Sequence, residues 1–220
     1  MPEETDRAAL VRRLLPVMDH ARRLGLLGPG PLLPHLDHAL GFGAAAGVDV
    51  ADGAVRACLD LGSGAGLPGL PLALWWPGSR WTLVDAGRRR LDFLAEAVGV
   101  LGLDDRVEVV GGRAEELAQD PRLRGRFDLV VSRGFGPPAV TAECGAGFLA
   151  VGGRMVVSEP PGGRPDRWPP DGLEVLGLAP AVTAEAEGAS YQLLHQVSGC
   201  PDRFPRRTGI PSKRPLFGAD

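Results

Sequence analysis

Apolar residues recur at helical spacing near the start of the chain, where Leu10, Leu14, Val17, Met18 and Ala21 predict an amphipathic helix over residues 6–24, capped by Thr5 or Asp6. Residues 25–54 are rich in Gly, Pro and Ala, with a second helix predicted from His35 to Ala46. From Val55 onward short apolar runs alternate with helical segments, the pattern of a parallel sheet covered by crossover helices. Strands are predicted at 57–61, 81–85, 107–110, 127–132 and 153–157. Helices are predicted after the glycines that follow the first strand, over 88–102 and near 138–150. In the 88–102 segment Leu91, Leu94, Ala95, Val98 and Leu101 trace a single face. A Pro/Gly-rich loop spans 159–172, and the runs Leu173 to Leu178 and Tyr191 to Val197 predict two last strands. No long helix lies between those runs to force a parallel crossover, so an antiparallel closing pair is expected. The result is an α/β fold with a seven-stranded, mainly parallel sheet. A helical extension (1–54) precedes a ligand-binding domain (55–200), and a tail (201–220) follows.

Composition narrows the class. The 220 residues suffice for one domain of ordinary α/β size, and 44% apolar against 23% charged residues is incompatible with intrinsic disorder. Cys58, Cys144 and Cys200 show no CxxC or Cys/His spacing, so no metal or disulfide framework is expected. His20, His35, His38 and His195 share no ligand spacing either and read as surface or hydrogen-bonded residues. The acidic start and the lack of a long apolar run predict a cytoplasmic protein without membrane attachment, expected to be a monomer. The net charge of −3 is unevenly spread: Arg203, Arg206, Arg207, Lys213 and Arg214 face only Asp220 in the last eighteen residues, leaving residues 1–202 at −7. Such a tail is either a phosphate-contacting arm or a solvated terminus.

The chemistry centres on Asp60-Leu61-Gly62-Ser63-Gly64-Ala65-Gly66-Leu67-Pro68-Gly69, which follows a strand and opens a helix. A glycine-rich turn there brings backbone N–H groups close to a nucleotide-like ligand. Gly64-x-Gly66-x-x-Gly69 satisfies the dinucleotide fingerprint, with Asp85 some twenty residues on as ribose acceptor. Three features favour S-adenosylmethionine instead. Asp60 would repel a pyrophosphate but attract a sulfonium or amino group; Asp85 ends the second strand, where it can take both ribose hydroxyls; and Gly111-Gly112-Arg113-Ala114-Glu115 adds another acid after the third strand.

The run from Asp60 through Leu70-Pro71-Leu72-Ala73 resembles the signature of the bacterial small-subunit (16S) ribosomal RNA guanine-N7 methyltransferases, the glucose-inhibited division protein B family. Val84-Asp85 with Arg90 and Phe93-Leu94, Arg113-Ala114-Glu115-Glu116, Ser132-Arg133-Gly134-Phe135 and the tail from Phe204-Pro205-Arg206-Arg207 to Pro215-Leu216 extend the resemblance over about residues 35–216. It implies a Rossmann-like class I methyltransferase with helices on both faces of the sheet. It also implies S-adenosylmethionine as cofactor and ribosomal RNA or the small ribosomal subunit as partner. By the same resemblance Gly62 and Leu67 line the cofactor, Ala114-Glu115 meet the adenine, and Arg133 stands at the junction of cofactor and substrate. The full expected set is Asp60, Gly62, Gly64, Gly66, Leu67, Asp85, Ala114, Glu115 and Arg133 for the cofactor, with Arg133 also catalytic, and Phe135, Arg206 and Arg207 for RNA. On their own residues, Arg133 is either a phosphate ligand or an acid's partner, and Phe135 either stacks on a base or packs.

Two departures bear on the substrate. Only His35-Leu36-Asp37-His38 resembles the family's N-terminal His-x-x-Asp-Ser element, and Ser158-Glu159-Pro160-Pro161-Gly162-Gly163 stands where the family tends to carry Lys-Gly. They leave two alternatives beside the rRNA enzyme: a methyltransferase for a small metabolite, and a non-catalytic RNA-binding relative.

Overall fold

The computed structural model describes residues 4–47, 57–160 and 165–218; the expected domain boundary near Val55 lies outside them. The helix α1 (Glu4–Arg23) begins ahead of Thr5 and Asp6, and α2 (Leu33–Ala45) follows. The sheet strands are β1 (Ala57–Leu61), β2 (Arg80–Asp85), β3 (Val107–Gly111), β4 (Phe127–Ser132), β5 (Leu149–Ser158), β6 (Val182–Ala186) and β7 (Ala189–His195). The helices between them are α3 (Gly69–Trp75), α4 (Arg88–Leu101), α5 (Ala114–Leu117), α6 (Pro138–Ala146) and α7 (Pro170–Glu174), and α8 (Ile210–Lys213) comes last.

Strand order is β3-β2-β1-β4-β5-β7-β6, parallel through β5 and antiparallel at β7 and β6. Side chains alternate between two cores as the strand period requires. Leu83, Leu129, Val131 and Val156 join the α1–α4 side with Leu14, Met18, Leu40, Phe42 and Phe93. Leu59, Leu61, Val130, Met155 and Val157 join the α6–α7 side with Cys144, Phe148, Leu173 and Phe204. Trp76 is buried and Trp75 only partly so. Among the described residues no helix is long and apolar enough to cross a membrane.

The predicted strand over Leu173 to Leu178 is the clearest correction. Pro170, whose fixed φ suits a first helical turn, starts α7 there, and Leu178 makes only an isolated bridge to Gln196. The sixth strand is instead Val182–Ala186, whose residues are exposed or only half-buried, which leaves it a weak apolar signal. It turns into β7 through Glu187-Gly188, both at positive φ, the backbone of a two-residue hairpin turn. The sixth helix also stops at Ala146, four residues early, because Leu149 already pairs with Phe127 across an irregular register.

Candidate active site

Strands β1 and β4 are neighbours whose crossovers run to opposite sides, and ligands of open α/β sheets lie beyond the strand ends at such a switch point. A cavity of about 570 Å³ opens there. Its walls are the β1 turn (Gly62, Ser63, Gly64, Ala65, Leu67), the end of β2 (Asp85, Ala86), the start of α5 (Gly112, Arg113, Ala114, Glu115) and the loop after β4 (Arg133, Gly134, Phe135). Leu26, Leu27, Gly28 and His35 close it from the N-terminal layer.

Gly62 carries the turn at φ +74°, and a Cβ there would stand 2.7 Å from Phe135 Cδ2, so only glycine lets the two loops meet. Asp85 binds the turn from the other side: Oδ2 accepts from the Gly64 amide at 3.0 Å, and Oδ1 from the Gly87 amide at 2.8 Å and Arg90 Nε at 2.7 Å. A carboxylate offers about four lone-pair positions, so Asp85 retains room for about one further hydroxyl rather than two.

Asp60 is fully buried and outside the cavity lining. Its Oδ2 accepts from the Gly69 amide at 2.9 Å and ties β1 to the start of α3, while Oδ1 has no partner. Burial, reinforced by Asp85 and opposed by the Gly69 amide and Arg133, pushes its pKa up to about 7. It is a strut of the turn rather than a wall of the site. Gly66 likewise lies outside the lining, packed on Leu70.

Glu115 is buried in the wall; its Oε1 accepts from the Gly209 amide at 3.0 Å and Arg113 Nη2 at 3.1 Å, and Oε2 has no partner. Burial alone would raise its pKa, but the Gly209 amide, its own amide and Arg113 outweigh it and hold the carboxyl below its usual value. Arg133 donates from Nη2 to His35 Nδ1 at 2.9 Å, and its buried Nη1 has no partner. An arginine only donates, so His35 accepts here as a neutral imidazole; burial and Arg133 both lower its pKa. Arg133 itself is lowered chiefly by burial. The partnership spans 98 positions in sequence, and spacing gave no sign of it.

The basic tail is neither a free arm nor a solvated end. Glu143, buried on α6, accepts from the Arg206 amide at 2.8 Å, Nε at 2.8 Å and Nη2 at 2.6 Å. Arg124 donates to the Cys200, Pro201 and Phe204 carbonyls, Gln119 to Pro205, and Thr208 to Glu116. Arg206, expected to meet RNA, is therefore a structural anchor, whereas Arg203 and Arg207 stay exposed. Glu159, the acid that replaces a family lysine, is paired with Arg167 and accepts from Trp168 Nε1 at 2.9 Å. It presents no spare negative charge to a substrate.

The fold and this site define a Rossmann-like class I methyltransferase. An O-methyltransferase family protein from Burkholderia thailandensis has the same fold, with a TM-score of 0.56 at 15% identity, covering 76% of this chain and 58% of that one. A family model described as rRNA small subunit methyltransferase G matches residues 41–159. Two proteins named ribosomal RNA small subunit methyltransferase G are similar over most of the chain. That of Dictyoglomus thermophilum is 32% identical, covering 74% of this chain and 70% of its own. That of Dehalococcoides mccartyi is 37% identical, covering 72% and 70%. The chain belongs to the rRNA small subunit methyltransferase G family.

Proposed function

We propose that the cavity holds S-adenosylmethionine and that the chain methylates N7 of a guanine in 16S ribosomal RNA of the small subunit. The observation that carries the reading is a pair of buried polar atoms without partners on residues of one cavity: the acceptor Glu115 Oε2 and the donor Arg133 Nη1. S-adenosylmethionine answers both demands, with an adenine amine for the acid and a carboxylate for the guanidinium. The acids Asp85 and Glu115 in the same walls disfavour a pyrophosphate. Gly62, Gly64 and Leu67 would hold the cofactor's middle, Asp85 its ribose and Ala114-Glu115 its adenine; Asp60 supports them by fixing the turn. When bound, the cofactor supplies an electrophilic methyl group.

Guanine N7 presents a lone pair that needs no deprotonation, so the protein's task is orientation and exclusion of water. His35 holds Arg133 Nη2, and the partnerless Nη1 leaves that guanidinium able to pair with an anion at the cavity. Phe135, half-buried against Gly62, keeps part of its ring for a base drawn out of its stack. Arg203, Arg207, Lys213 and Arg214 are exposed cations of the tail available to RNA phosphates. Transfer of a labelled methyl group to small-subunit rRNA and to intact subunits, followed by N7-specific strand cleavage, tests this. One labelled guanine, lost in Asp85→Ala, is the expected result; no label despite cofactor binding overturns the substrate.

A further inference from the structure

The tail segment 203–214 reaches the cavity wall through a hydrogen bond from the Gly209 amide to Glu115 Oε1. That contact has a definite conformational cause. Gly209 stands at φ +79° as the residue before α8, and this left-handed turn presents its N–H to the acid. Three residues earlier along the tail, the three donors of Arg206 on Glu143 hold the segment against α6, and Arg206 Nη2 also donates to the Arg214 carbonyl at 2.7 Å, closing the segment on itself. With Gly209 and Arg113 both on Oε1, the second oxygen of Glu115 is left free and buried.

We propose that the C-terminal segment is a strap that completes the cofactor site: the Gly209 amide, held by the Arg206–Glu143 lock, is a positioning group that sets the Glu115 carboxylate for the adenine amine. The inference rests on the assignment of the adenine to Glu115. It makes a segment outside the matched family region part of cofactor selectivity, and it gives the basic tail a second role besides RNA contact. An acid with one oxygen fixed by the strap and the other left unpaired discriminates an amine from a carbonyl at the same ring position, because a carbonyl would leave that buried oxygen unpaired.

The test compares binding of S-adenosylhomocysteine with that of S-inosylhomocysteine, in which a ring carbonyl replaces the adenine amine, by calorimetry on the full chain. Gly209→Ala is the first variant. A Cβ there meets nothing within 4 Å, so the fold is kept while the positive φ becomes strained and the amide is drawn away from Glu115. Gly218→Ala, also at positive φ and in open space, is the control. Arg206→Ala is the second variant, which removes both guanidinium bonds of the lock. The wild type is expected to prefer the adenine compound by about tenfold or more, as for a hydrogen bond to a charged group. Gly209→Ala and Arg206→Ala should lose most of that preference, and Gly218→Ala should keep it. An unchanged preference in both folded strap variants overturns the proposal while leaving the cofactor reading standing. Failure of the wild type to bind S-adenosylhomocysteine overturns that reading and the strap with it.

Discussion

Arg206→Ala separates an RNA-binding arginine from a structural one. The Glu143 side chain is 0% exposed and that of Arg206 25%, and the carboxylate takes two guanidinium hydrogen bonds and one from the Arg206 amide. The substitution spares the amide and removes both guanidinium bonds, so a buried carboxylate is left with one partner. Breaking a buried pair from one side costs about 3–5 kcal/mol. Water reaching the vacated, quarter-exposed position favours the lower end, about 3 kcal/mol. For a chain of this length each kcal/mol moves the midpoint by about 2–4 °C, so Tm should fall by about 6–12 °C. Circular dichroism melts at neutral pH, in low and high salt, measure it. Buried pairs are weakly screened, so the loss should persist in high salt. Adding Glu143→Gln to Arg206→Ala should recover part of it, since no buried charge is then left without its partner. A Tm within about 2 °C of wild type, or a deficit that salt abolishes, would refute the anchor.

Three further outcomes follow from the site. Asp60→Asn should stabilise the protein in a pH-dependent way: the folded pKa of Asp60, about 7, lies above the unfolded value, so its contribution is fully present below about pH 4 and lost as pH rises to 7. The Asn-minus-Asp stability difference, read from urea melts, should therefore grow between those values and then level at no more than about 4 kcal/mol; a flat difference would show that burial does not govern this acid. Asp85→Ala removes the acceptor of Gly64, Gly87 and Arg90 together and should weaken S-adenosylhomocysteine binding by at least about tenfold in calorimetry, each charged hydrogen bond being worth about 1.5–3 kcal/mol. Arg203→Ala and Arg207→Ala should each lower the slope of log affinity for rRNA against log salt by about 1, with cofactor affinity unchanged; an unaltered slope would remove the tail from the RNA interface.

The sheet was legible in the sequence because a parallel strand buried on both faces is a short apolar run, and the runs at 57–61 and 127–132 coincide with β1 and β4. The glycine turn was legible for a related reason: backbone conformation is local, and Gly62 records it. Where burial came from distant packing, periodicity misled. Leu173, Leu176 and Leu178 are apolar because they fill the core beneath the α6 side, and beyond the isolated bridge of Leu178 they form no strand.

By itself the sequence determined the strand-turn-helix that makes the cavity, the acid at the end of β2 and the acid beyond β3, each following a strand whose end lies on the same edge, while Leu67, Ala114 and Arg133 were implied by the family resemblance. Tertiary structure alone decided which charges are free. Asp60 and Arg206 look like ligand-binding residues in a one-dimensional reading, yet Asp60 Oδ2 is taken by a backbone amide and the Arg206 guanidinium by a buried acid that the fold brings to them. Arg133 meets His35, and Glu115 meets Gly209, across about a hundred residues each, for charge is local in the chain but its neutralisation is a property of space.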